Sequence, residues 1–157
     1  MTTPAHILSA SLIALKVNNI QVDQLNYIYF ALVSSGILDL DHIYFFIRDR
    51  AFFKQKGFKG QLHHARSFLH ELIGVVLLSC ISLIIFCFDS KLASIFFITI
   101  LVHLSQDFFT GISKPFSPFN KTEIKLFDYT YKSKLIINLL TIIIFSILWL
   151  LYLKGKL

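Results

Sequence analysis

Charge is scarce in this chain: Asp, Glu, Lys and Arg together make up 15% of its 157 residues, against about 25% in ordinary soluble domains. With 55% hydrophobic residues beside that figure, there is too little polar surface to coat a soluble globule, and disorder is excluded as well. Only 3 Pro and 6 Gly interrupt the apolar runs. Cysteine is limited to Cys80 and Cys87, seven apart in one such run. On a helix their backbones stand about 10 Å apart, too far for a disulfide, so they read as apolar lining. The length leaves room for one domain, residues 1–157, and excludes a multidomain machine. These deficits point to a small integral membrane protein.

Four or five apolar segments have helical length. Residues 4–17 are the shortest, with Pro4 suited to a first turn and Asn18-Asn19 to an end. Residues 25–47 carry Asp39, Asp41 and His42; residues 72–88 are apolar or small; residues 92–112 carry His103 and Asp107. Residues 135–153 have no charge and close on Trp149 and Tyr152, which suit an interfacial aromatic belt. The β-branched residues do not alternate, so strands are not expected. The expected fold is all-α, a polytopic membrane bundle of four to five transmembrane helices. No Lys or Arg precedes the first apolar stretch and Lys16 follows it, so residues 1–15 are expected to be retained rather than removed as a signal peptide.

Net charge is +6, and its placement explains it. Arg48, Arg50, Lys54, Lys56, Lys59 and Arg66 lie between the second and third segments. Lys114, Lys121, Lys125, Lys132 and Lys134 lie between the fourth and fifth, making eleven of the fifteen basic residues. A five-helix serpentine puts both connections on one side, which the positive-inside rule assigns to the cytoplasm together with the N-terminus. Anionic headgroups are then the partner of this charge, and nucleic acid is not needed to account for it.

An ionisable residue inside a span costs about 3 kcal/mol, so each needs a reason. That topology sends them to one end. His6 starts the first helix; Asp39, Asp41 and His42 lie in the cytoplasmic half of the second; His63, His64, His70 and Glu71 lead into the third; His103 and Asp107 occupy the cytoplasmic half of the fourth. All six histidines are in this set. His103 and Asp107, four apart, leave the same helix face and can grip one ion. Asp39 and His42, three apart, do likewise on a continuous helix, while Asp41 is rotated about 200° from Asp39 unless the helix breaks after Gly36. A nitrogen and oxygen donor set without thiolate suits a divalent metal, zinc first, with manganese or iron(II) as alternatives.

Taken in order, His6, Gly36-Ile37-Leu38-Asp39-Leu40-Asp41-His42, His64-Ala65-Arg66-Ser67-Phe68-Leu69-His70, His103-Leu104-Ser105-Gln106-Asp107 and Lys114-Pro115-Phe116 resemble the YdjM-type inner-membrane family over residues 1–119. Leu38 stands where that family usually has Pro, and Ala65 separates His64 from Arg66. More distantly the arrangement is similar to zinc-dependent phospholipase C and the related single-strand nucleases, whose N-terminal Trp ligand has no counterpart in Met1 or Thr2. The resemblance implies a metal-dependent hydrolase of the inner membrane, with His6, Asp39, His42, His64, His70, His103 and Asp107 as metal ligands. Asp41 or Glu71 would serve as general base or as partner to a ligating imidazole, and Arg66 would meet a phosphate or other anionic group. A site just below the headgroups favours a phosphoester or lipid-borne substrate. Two rivals stand beside this reading: a metal- or proton-handling membrane protein, and a structural bundle glued by polar contacts.

Overall fold

The computed structural model describes residues 2–40, 47, 68–117, 119–120 and 122–157. Among these the fold is all-helical: α1 Thr3–Val17, α2 Leu25–Ile37, a 3₁₀ turn Phe68–His70, α3 Leu72–Phe86, α4 Ser90–Thr110 and α5 Tyr131–Leu153. Extended pairing is limited to one isolated antiparallel bridge, Ser113 with Ile124.

Local chemistry sets the helix ends. Pro4 sits in the first turn of α1, where no intrahelical N–H is needed. Asn19 ends that helix in the left-handed region (φ 53°), so that the Ile20 N–H returns to the Leu15 carbonyl at 3.0 Å and the Asn19 N–H to Lys16 at 3.1 Å. Gly155 (φ 63°) closes α5 the same way, with the Lys156 N–H on the Leu151 carbonyl at 2.9 Å. Asp89 caps α4 by accepting the Lys91 and Leu92 amides at 2.8 and 3.0 Å. The Leu92 amide in particular holds the Asp89 carboxyl below the usual carboxylate range, helped by the Tyr27 hydroxyl.

Helices α1, α2 and α4 pack on one another, α3 packs on α4, and α5 on α1. Buried Ala10, Ala14, Ala31, Ser11, Ser34 and Ser35 let the three central helices approach closely. Gly36 is such a contact, because a Cβ there would meet Ile7 Cδ1 at 3.1 Å. The outer faces of α3 and α5 are covered with exposed large apolar residues, among them Val76, Leu83, Ile84, Leu135, Ile143 and Leu150. Such a surface suits hydrocarbon rather than water. Cys80 on α3 and Cys87 at its C-cap are free and exposed.

Two expectations need adjusting. By length and apolar composition, α4 (21 residues) and α5 (23 residues) qualify as spans, while α1, α2 and α3 have 15, 13 and 15 residues, short of the ~20 that a hydrocarbon core requires. Helix length therefore does not establish four to five crossings. The second segment shortens because α2 stops at Ile37 and Asp39 leaves from the turn that follows. Trp149 and Tyr152 do not form a lipid-facing belt: both are buried, and they dock α5 onto α1 and its exit, through Trp149 Nε1–H to the Leu8 carbonyl and Tyr152 O–H to the Ile20 carbonyl, each at 2.9 Å. Their polar atoms found non-local partners, which spacing along α5 does not reveal.

Candidate metal centre

The start of α1, the turn after α2, the 3₁₀ turn before α3 and the second half of α4 meet at one end of the bundle. They bring together His6, Asp39, His70, His103 and Asp107, all buried. His103 and Asp107 project from one face of α4, as their spacing requires. His70 is carried by the 3₁₀ turn, which folds back onto the first turn of α3. Gly74 is needed there, since a Cβ would stand 1.9 Å from the Leu69 carbonyl oxygen.

Short distances join the five. His6 Nε2 lies 3.2 Å from Asp107 Oδ1, and His103 Nε2 lies 3.5 Å from Asp39 Oδ1. Asp107 Oδ2 is 3.8 Å from His70 Nε2 and 3.9 Å from His103 Nε2. The His6 and His103 rings stack with centroids 3.9 Å apart and planes 12° from parallel.

Hydrogen bonds outside this group fix which ring nitrogens face inward. His103 Nδ1 lies 3.0 Å from the Ser35 carbonyl; a carbonyl only accepts, so Nδ1 carries the proton. His6 Nδ1 lies 2.9 Å from Gln106 Oε1. The Gln106 amide orientation follows from Ser9, whose hydroxyl donates to the Ala5 carbonyl at 2.6 Å and so accepts from Gln106 Nε2 at 2.8 Å. His6 Nδ1 is therefore also the protonated nitrogen. In the neutral imidazoles both Nε2 atoms are lone-pair acceptors, buried and without a hydrogen-bond partner among the described residues. Each faces a carboxylate oxygen.

Acceptors turned toward acceptors repel unless a cation lies between them. Protonating both stacked rings would set two like charges about 4 Å apart in a dry site, and a proton joins only two atoms. Two groups, His6–Asp39–His103 and His70–His103–Asp107, each offer donor atoms within 4.8 Å of one another. Donors about 2.1 Å from a shared ion stand roughly 3.0–3.5 Å apart, or up to about 4.2 Å across an octahedron. The four imidazole–carboxylate separations given above, 3.2–3.9 Å, fall in that range, and the His Nδ1–H bonds to oxygen are the usual support of a ligating imidazole. These residues fit a divalent ion.

Glu71 goes elsewhere. Its carboxylate accepts the Ser113 hydroxyl at 2.5 Å and the Lys114 amide at 2.8 Å. Asp41, His42, His63, His64 and Arg66, which the sequence placed at the same end, lie outside the described residues. Gln106, Ser9 and the Ser35 carbonyl are the parts that sequence reasoning passed over. Gln106 did carry a signal, as an amide inside an apolar helix three residues from His103.

The family model described as YdjM inner membrane protein matches residues 1–156, and the chain belongs to that family. No curated protein and no solved structure matches it.

Proposed function

From membership in an inner-membrane family, we propose that this chain is a membrane-embedded, metal-dependent hydrolase acting on a phosphoester or lipid-borne substrate at the cytoplasmic face. The observation that carries the metal reading is the pair of imidazole nitrogens, His6 Nε2 and His103 Nε2, each turned toward a carboxylate oxygen while its Nδ1–H is held by an oxygen outside the group. His6, Asp39, His70, His103 and Asp107 would hold the ion, and His42 and His64 complete the proposed ligand set. Nitrogen and carboxylate donors without thiolate favour zinc, with manganese or iron(II) as alternatives. A bound divalent ion supplies Lewis acidity and a nucleophile at neutral pH.

The chain's own groups do the rest. Ser35 and Gln106 hold the two imidazoles in the tautomer that presents Nε2. The low-dielectric surroundings strengthen every charge interaction at the centre. Asp41 is the proposed proton acceptor, because both Glu71 oxygens are engaged by Ser113 and Lys114. Arg66 is the proposed contact for an anionic group on the substrate. The reading includes four to five crossings, α1 to α3 entering the bilayer beside α4 and α5, with the N-terminus cytoplasmic. Basic connections on one side support that orientation.

The rival of a transmembrane ion or proton path is disfavoured by the core beneath the centre. Leu12, Leu15, Ile28 and Ile95 are buried in one apolar cluster with Trp149 and Tyr152, toward the opposite end of the bundle. Of the buried hydroxyls between, Ser34 and Thr99 bond to carbonyls of their own helices and to each other at 3.1 Å, and the apolar cluster closes beyond them. The test has two stages: metal analysis of purified protein, then hydrolysis of a phosphodiester panel by the loaded protein. Stoichiometric metal with turnover supports the proposal; metal without turnover on any phosphoester removes the hydrolase. Reporter fusions to residues 48–66 that emerge outside the cell would defeat the orientation.

A further inference from the structure

Glu71 occupies the N-cap position of α3, with extended backbone (φ −116°, ψ −177°), yet its carboxylate makes no cap bond to that helix. A carboxylate at this position ordinarily takes the free amides of the first turn and gains from the helix dipole. Here it is diverted to Ser113 Oγ and the Lys114 amide, 42 and 43 residues along the chain. Both Glu71 and Ser113 are buried, at 7% and 6% exposure. The receiving segment is itself braced. Ser113 and Ile124 exchange both backbone hydrogen bonds at 2.9 and 2.8 Å, and Lys114 Nζ pairs with Glu123 at 3.0 Å.

On the other side, Glu71 adjoins His70 and leaves little slack. The Glu71 amide bonds to the Phe68 carbonyl at 3.1 Å. The Leu69 backbone presses on Gly74 with no space for even a methyl group. A tie on Glu71 is thus a tie on the turn that delivers His70 to Asp107.

We infer that Glu71 is a positioning residue: its carboxylate fastens the His70 turn to the braced segment after α4, and so sets where His70 meets the cluster. Two donors on two oxygens describe an anion employed as an acceptor of hydrogen bonds. The inference rests on the metal reading for its consequence, but the tie itself exists without metal. It predicts that Ser113, which has no place among the ligands, affects His70 through Glu71.

The test uses the full chain in detergent micelles, wild type beside Glu71→Ala, Glu71→Gln and Ser113→Ala. Two readouts need no metal: hydrogen exchange of the peptide containing the Lys114 amide, and the rate at which diethylpyrocarbonate modifies His70. A third is Co²⁺ titration followed by its visible absorption. Glu71→Ala should speed both metal-free readouts about tenfold and weaken Co²⁺ binding about 10- to 100-fold, with the spectral change that His70→Ala also gives. Glu71→Gln, which keeps one acceptor, should lie between. Ser113→Ala should move His70 reactivity in the same direction by a smaller factor, and it keeps the question decidable if Glu71→Ala does not fold. Wild-type exchange and His70 reactivity in both Glu71→Ala and Ser113→Ala would overturn the tie. A wild-type chain that binds no Co²⁺ but shows both metal-free effects would overturn the metal reading and support the tie.

Discussion

The two ends of the bundle use polar groups in opposite ways. Toward the end away from the cluster every notable donor meets an acceptor: Trp149 on Leu8, Tyr152 on Ile20, Tyr27 on Asp89 at 3.0 Å, and Asn18 on Ala14 at 2.8 Å. These contacts close caps and dock helices, and they are complete as they stand. At the cluster end, imidazole nitrogens face carboxylate oxygens across 3.2 and 3.5 Å. Packing energy alone does not explain that arrangement, since apolar residues of similar volume would cost less to bury. At one end polar groups pair with each other; at the other they are held by outside bonds and aimed at a common point, as groups that could hold an ion are.

Substitutions at each end test this contrast. The largest effect is expected at His103, which belongs to both donor groups. His103→Ala should abolish stoichiometric metal, read by elemental analysis of purified protein; retained metal would place the ion elsewhere. Next comes Gln106→Leu, which removes the acceptor holding His6 in its tautomer. It should weaken metal binding about 10- to 100-fold in a chelator competition while helix content is unchanged. Far from the cluster, Tyr152→Phe strips the donor from a buried carbonyl and should cost about 1–2 kcal/mol of stability, with metal affinity as in wild type. A change in affinity there would blur the distinction between the two ends.

The smallest effect is expected at Asp89, and it is conditional on pH. Its folded carboxyl titrates below its ordinary value, chiefly because of the Leu92 amide, so the cap is intact above the unfolded value of about 3.9. Its contribution is lost as pH falls through the lower folded value. Asp89→Ala should therefore lower the melting temperature by a few degrees at neutral pH, and the two proteins should converge in acid.

Much of this was readable in residue order. The ends of α1 follow from Pro4 and Asn18-Asn19, because caps and breakers act locally; the apolar runs locate α4 and α5, whose starts at Ser90 and Tyr131 precede the apolar residues 92 and 135. His103 and Asp107 declare a shared helix face by their spacing, and a rule that uses only Lys and Arg put His6, Asp39 and His70 at the same end. What could not be read is non-local or generic. The Ser35 carbonyl supports His103, yet every residue carries a carbonyl. Glu71 finds partners more than forty residues away, in a connection with no regular period. Trp149 and Tyr152 satisfy the pattern of an interfacial belt and that of a docking pair equally well; their hydrogen bonds distinguish the two. For Asp39, the sequence left a continuous helix and a break after Gly36 both open, and α2 ends at Ile37.

The bond between His6 and Gln106 joins residues 100 positions apart. At ribosomal speeds of about 5–20 residues per second, His6 is made roughly 5–20 s before its partner exists. The first helix is therefore made carrying an imidazole whose orientation is not yet decided, and the cluster is assembled only when α4 arrives. A nascent chain stopped before α4 would carry His6, Asp39 and His70 without His103 and Asp107, so the cluster closes only once α4 has been made.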